Sequence, residues 1–284
     1  MYKMEFISDT GTRFLLGADN GIVFDADALS GLEVDLGTSQ GFAQVGQTVE
    51  ARSVSGAPLQ ITGKIFRNIP ATKAAMRRAF APFRKGKLIF NGTHYLLVEV
   101  KSSPAVSPIR DNGSFSLELF APFPFWRSAR TSTYGIGVIE PLFSFPVTYS
   151  STETHKFGSR SSERFTNIIN SGDVPTAFSL SIRTTAASTN VTITNVLTGE
   201  FLRIIGTLNI GDVVEIARDS SGQLSATLTA DGVTTDIVSR VDDDSNLYEL
   251  AVGDNIILVS DNETSGGLIV DISFDPAVGG VYED

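Results

Sequence analysis

The chain has 284 residues, 42% hydrophobic and 19% charged, with no cysteine and only two histidines, His94 and His155. That composition supports a buried core and excludes a disordered chain, a disulfide scaffold, thiolate metal sites and cysteine nucleophiles. No run of 18 apolar residues suggests a membrane-spanning helix, and the first residues lack the apolar stretch of a signal peptide. The net charge of −10 is uneven: residues 1–130 carry 15 Lys and Arg against 11 Asp and Glu, and residues 131–284 carry 7 against 21. This split points to two domains, and the acidic half argues against nucleic-acid or anionic-membrane binding there.

The first half reads as strands with one helix. Leu59, Ile61 and Ile65 alternate with polar residues, as do Leu96, Val98 and Val100, and Phe115, Leu117 and Leu119. Period two fits half-buried antiparallel strands. A turn at 55–58 predicts a hairpin of 42–54 with 59–67, and Asn91-Gly92 predicts a second, type I′ hairpin. The helix is expected over 69–81, with Asn68 as cap, Pro70 in the first turn, and Met76, Phe80 and Phe83 on one apolar face. Lys73, Arg77, Arg78, Arg84, Lys85 and Lys87 cluster on and after it. They either complement the helix dipole or form an electrostatic interface.

Residues 121–126, Ala-Pro-Phe-Pro-Phe-Trp, set three aromatics among prolines, which demotes the segment to an extended edge. Phe123, Phe125 and Trp126 either mark an interface or close the first core. A Ser/Thr-rich stretch follows, and 128–142 reads as a linker between domains 1–127 and 143–284. In the second half Phe178, Leu180 and Ile182 alternate with polar residues, as do Leu224, Ala226 and Leu228, and Leu268, Val270, Ile272 and Phe274. Further short strands are expected at 190–196, 201–205, 212–217, 234–239 and 255–260, separated by Gly/Asp turns. That pattern is mainly β and suggests a β-sandwich.

Positive signs of catalysis are missing, so no catalytic, cofactor or metal residue is expected. No G-x-S-x-G elbow accompanies His94 or His155. Asp242-Asp243-Asp244-Ser245-Asn246 opens like a calcium loop, but Leu247 and Gly253 stand where an EF-hand needs Gly and Glu. Gly135-Ile136-Gly137 lacks the third glycine of a dinucleotide fingerprint.

Several segments are similar to the distal tail protein family of siphophages, the bacteriophages with long non-contractile tails. In the first half these are the segment 42–68 with Ile61-Thr62-Gly63-Lys64-Ile65, the run 77–82 followed by Gly86-Lys87-Leu88, and 120–126. In the second half they are 167–176, 193–200 and 208–212. The resemblance implies an N-terminal β-sandwich-like domain with one helix and a C-terminal galectin-like β-sandwich. It implies a homo-hexameric ring built by the N-terminal domains, which joins the tail tube protein to tail-tip or tail-associated proteins and to a receptor-binding protein. DNA would pass through the ring without being read, and assembly would take place in the bacterial cytoplasm. Arg77, Arg78, Phe123, Phe125 and Trp126 are the candidate interface residues. The alternative is a saccharide-binding adhesin for the host surface. Sugar sites stack rings on Trp or Tyr, and the second half offers Tyr149 and Tyr248 only as core-region candidates, so no glycan site is expected.

Overall fold

Strands with one buried face do most of the building. The computed structural model describes residues 2–26, 32–110, 112–137, 164–218, 223–246, 248–261 and 267–281, and the backbone of 139–141 and 158–160. The chain forms two compact units, Met1–Arg130 with Ala277–Asp284, and Thr131–Pro276. The second is therefore inserted within the first. Among the described residues the chain is mainly β, with one α-helix and several sheets.

The first unit contains β1 (Met4–Ser8), β2 (Arg13–Leu16), β3 (Ile22–Ala26), β4 (Val34–Ser39), β5 (Thr48–Val54), β6 (Ala57–Ile65), α1 (Ile69–Ala79), β7 (Lys85–Phe90), β8 (His94–Val106), β9 (Ser114–Ala121) and β10 (Trp126–Ser128). Its main sheet runs β2-β1-β7-β8-β9-β6-β3, all antiparallel. The start of β8 also pairs with β10, Tyr95 opposite Arg127. Inward residues such as Phe6, Leu59, Ile61, Leu88, Val98 and Leu117 make the core, and α1 closes it with Met76, Ala79 and Phe80. The Phe80 ring stacks on Phe6 at 4.5 Å and meets Phe14 edge-on at 5.7 Å. Full burial of such a ring is worth about 2–3 kcal/mol.

The Asn-Gly hairpin is present: Thr93 N–H donates to Phe90 O at 2.9 Å across Asn91 and Gly92, both with positive φ. The glycine of the 86–88 motif is steric. A Cβ on Gly86 would lie 2.3 Å from the Ile7 carbonyl oxygen.

Four expectations are corrected here. First, β5 pairs with β4, not with β6; β6 lies between β9 and β3 in the main sheet. The core needs the buried face of Leu59, Ile61 and Ile65, whereas β5 has no buried residue. Second, α1 ends at Ala79, and Asn68 sits in the left-handed region without a capping side-chain bond. Third, Phe83 leaves the apolar face, with φ +66° and 96% exposure. Fourth, the stretch read as a linker holds the end of β10, then β11 (Ser132–Ile136), which pairs with a distant strand, and β12 (Ile139–Pro141).

The second unit continues with β13 (Gly158–Arg160), β14 (Phe165–Asn170), β15 (Ser179–Thr184), β16 (Ser188–Asn195), β17 (Phe201–Leu208), β18 (Val213–Arg218), β19 (Leu224–Ala230), β20 (Val233–Asp236), β21 (Gly253–Ser260) and β22 (Leu268–Phe274). One sheet runs β11-β22-β15-β18-β19-β20, another β14-β21-β16-β17, and β12 pairs with β13. Inward residues of the two larger sheets, among them Ile136, Ile168, Ile182, Ile193, Val214 and Ile272, share one core.

The chain then returns to the first unit. β23 (Ala277–Val278) pairs with β10, Trp126 opposite Val278, and Val281 enters the first core. Ending the chain at Pro276 should therefore weaken the first unit by about 2–4 kcal/mol, from the lost burial of Ala277 and Val281. Trp126 is the sole tryptophan and belongs to this unit, so its fluorescence during urea unfolding reports the loss.

Candidate assembly interface

The most exposed structure in the first unit is the β4–β5 hairpin. It is a two-stranded sheet of its own, nearly all of it solvent-exposed. At its tip Phe42 and Val45 stand fully exposed, and Val34, Leu36 and Val49 are exposed along its strands. Gln40, Gly41, Gln44 and Thr48 hydrogen-bond the loop. A lone two-stranded hairpin is marginal in water. The sequence signals it faintly, since its few apolar residues are spread along a polar, Gly-containing stretch.

The candidate interface residues fall into two groups. Arg77 and Arg78 are exposed at the end of α1, and among the described residues no carboxylate pairs with either. Arg78 Nε donates back to Ala74 O at 3.4 Å. Phe123 is exposed, 5.1 Å from the half-buried Phe125 ring, with the Arg127 guanidinium 5.0 Å over it. Trp126 is instead a core residue, 1% exposed and edge-on to Phe90 at 6.1 Å. The alternation of an extended segment turns Pro124 and Trp126 inward, which leaves Phe123 outside.

The basic cluster divides further. Lys73 is buried and donates from Nζ to the carbonyls of Ser107 at 2.9 Å and Ile109 at 2.8 Å. Arg84 pairs with Asp9, Lys85 with Glu99, and Lys87 lies 4.4 Å over the Tyr95 ring. Only part of the sequence cluster is thus left to face a partner. Lys73→Met should cost about 1–3 kcal/mol, because two carbonyls lose their donor, read by the Trp126 signal in urea.

Chemistry elsewhere is spent on structure. Asp242 takes Arg203 at 3.0 Å and the Asp244 N–H at 3.1 Å, so the first carboxylate of the acidic run is engaged. Among the described residues no three His, Asp or Glu gather as metal ligands. His94 Nδ1 lies 3.2 Å from Thr93 Oγ1, and burial lowers its pKa. His155 and Tyr149 lie outside the described residues. Tyr248 is 4% exposed against Phe178, and among the described residues its hydroxyl has no hydrogen-bond partner. Desolvation, then the Glu200 charge, push its pKa far up. Its ring offers no face for a sugar.

The second-unit segments that carry the family resemblance are fasteners. Asn170 Nδ2 donates to Val174 O and Leu250 O, both at 3.0 Å, and its Oδ1 accepts from Gly172 N. Asn195 Oδ1 accepts from Leu197 N, and Asp212 Oδ2 from Asn209 N. Asn255, buried between them, donates to Ile168 O, Ala251 O and Gly253 O and accepts from Ala251 N.

Residues 171–277 match the family profile of the siphovirus-type tail component, C-terminal domain. The match covers most of the second unit. The likeness to siphophage distal tail proteins extends over the whole fold. The chain is similar to the Dit protein of phage SPP1, described as a paradigm of hub adsorption apparatus in phages infecting Gram-positive hosts. The two share 10% identity at a TM-score of 0.65, over 96% of this chain and 98% of that one. It is also similar to a chain of the phage P2 baseplate in its activated conformation with Ca, at 10% identity, a TM-score of 0.57 and 99% coverage of both. The Sr form of that baseplate gives 9% identity and a TM-score of 0.58, over 99% of this chain and 100% of that one. No curated protein sequence matches the chain.

In the siphovirus-type domain, then, the family-like residues hold turns. Asn255→Ala should cost the second unit about 1–3 kcal/mol through orphaned carbonyls. Calorimetry would show the loss, while the Trp126 midpoint stays in place.

Proposed function

We propose that the chain is the distal tail hub of a siphophage, six copies closing a ring between the tail tube and the tail-tip or baseplate proteins. The observation that carries this reading is the β4–β5 hairpin. It exposes Phe42 and Val45 completely and has no core of its own. Such an element gains its stability from a neighbour, and a ring provides one for every copy through closed heterologous packing. Similarity along the whole chain to a protein described as a hub adsorption apparatus supports the same role.

The division of labour follows the two units. The first, with one helix, supplies the ring contacts; among the described residues Arg77 and Arg78 stand there without carboxylate partners. The second is read as a galectin-like β-sandwich, whose acidic surface faces outward to further tail proteins. DNA passes through the ring without being read. The virion tail tip is the site of action, and the bacterial cytoplasm the site of assembly. Host-saccharide adhesion gains no support from Tyr248, which is buried.

Native mass spectrometry of the purified chain tests the ring. Six copies of a 30.4 kDa chain give about 182 kDa. Phe42→Ser with Val45→Ser should shift the population to monomer. Arg77→Glu with Arg78→Glu should weaken assembly about tenfold or more, with stronger effect at low salt. A wild-type chain that stays monomeric alone and with its tail neighbours overturns the reading.

A further inference from the structure

The two larger sheets of the second unit have unlike outer faces. On the six-stranded sheet one cross-strand row reads Gly135, Asp271, Ser181, Glu215, Thr227 and Asp236, as expected of a solvated face. On the four-stranded sheet the outward row reads Phe165, Leu258, Thr194 and Phe201. Beside it lie Ile256, Ile169 and Val196. Phe165 is 58% exposed, and Ile169 and Val196 are each 52% exposed. Apolar residues on three of the four strands of this outer face, Phe165 and Ile169, Leu258 and Ile256, and Phe201, with Val196 just past the end of β16, mark a contact surface.

Charge at this face selects the occupant. Arg203, which lies on the face, is paired with Asp242, and Arg164, next to Phe165, with Asp261. Among the described residues no cation pairs with Asp254, Glu200, Asp243 or Asp244. The face is therefore apolar with an acidic surround, and it fits an apolar knob with basic flanks.

Among the described residues the most exposed large apolar side chains, at 96% or more, sit in two places. One is the hairpin tip, Phe42 and Val45, whose strands hold Asp35, Glu50 and Arg52, so its own charge is acidic. The other is Phe83, held outward at positive φ, in a segment where 69–90 contains six Lys and Arg and no acid. Among the described residues Arg77 and Arg78 form no ion pair, whereas Arg84 and Lys85 are paired, Lys73 holds two carbonyls and Lys87 lies over Tyr95.

We propose that the outer face of the β14-β21-β16-β17 sheet receives the Phe83 knob of a second copy, with Arg77 and Arg78 of that copy facing its acidic surround. This contact is heterologous, so it links successive copies. It rests on the ring reading in needing a second copy, and it adds the second unit to the ring's contacts.

The absence of native cysteine makes the test direct. A chain bearing only Phe83→Cys is mixed with a size-tagged chain bearing only Leu258→Cys, and treated with a short bis-maleimide. Intact-mass analysis is expected to show a mixed dimer. Phe42→Cys with Leu258→Cys serves as the comparison and should give little. Arg77→Glu with Arg78→Glu, added to the Phe83→Cys chain, should lower the yield about fivefold or more, and Asp254→Lys on the other chain should restore part of it. A hexamer without the Phe83–Leu258 product overturns the inference and leaves the ring standing. A product from Phe42 but not Phe83 overturns it in favour of the hairpin. Monomer with no product overturns both.

Discussion

Every strand of the main sheet in the first unit is joined to β8, directly or through its neighbours. This strand has thirteen residues, longer than most, and its length lets it serve two partners along one edge. Its first residues take β10, and its later residues take β9. The opposite edge takes β7, and through it β1 and β2. Buried alternation fixes the register, because a slip of one residue would turn Leu96, Val98 and Val100 out of the core. The position of α1 follows, since Phe80 must reach Phe6 and Phe14 on strands that this register places.

The two units use polar residues in opposite ways. In the second, asparagines and one aspartate are drawn inside to tie turns, and each finds backbone partners. In the first, Lys73 and Arg78 donate to backbone carbonyls, and among the described residues the other cations stay outside the core, several of them in surface ion pairs worth little to stability. Family likeness at the level of motifs thus reports architecture in the second unit. In the first unit the exposed candidates Phe42, Val45, Arg77, Arg78 and Phe123 fall inside the family-like segments 42–68, 77–82 and 120–126.

Much of the β pattern was legible in the sequence because burial alternation is local. Leu59, Ile61 and Ile65, the Asn91-Gly92 turn, and the strand 268–274 are read from neighbours alone. Strand pairing was less legible. The turn at 55–58 suggested that β5 joins β6, yet which strand fills a sheet centre is decided by competition for the core. β11 escaped notice because Ser132, Thr133 and Tyr134 look like loop and only Ile136 is buried. Phe83 follows the helical spacing of Met76 and Phe80, but the helix has ended before it. A left-handed residue just past the helix reverses the direction that spacing implies. Composition reads the exposure of Arg77 and Arg78 correctly. It failed for Trp126, because alternation decides which aromatic of a Pro-rich segment faces in.

The pairing of β10 with β23 also orders events in time. Protein synthesis runs from the first residue onward, and the first unit borrows a strand and a core valine made only after the whole second unit. While the ribosome works through residues 131–276, the earlier unit lacks β23 and has a gap where Val281 belongs. The second unit has all its strands in one continuous stretch and can fold first. A chain interrupted anywhere before residue 277 therefore leaves its hairpin-bearing unit unfinished. Selection for complete copies is in this way built into the path of the backbone, ahead of any assembly step.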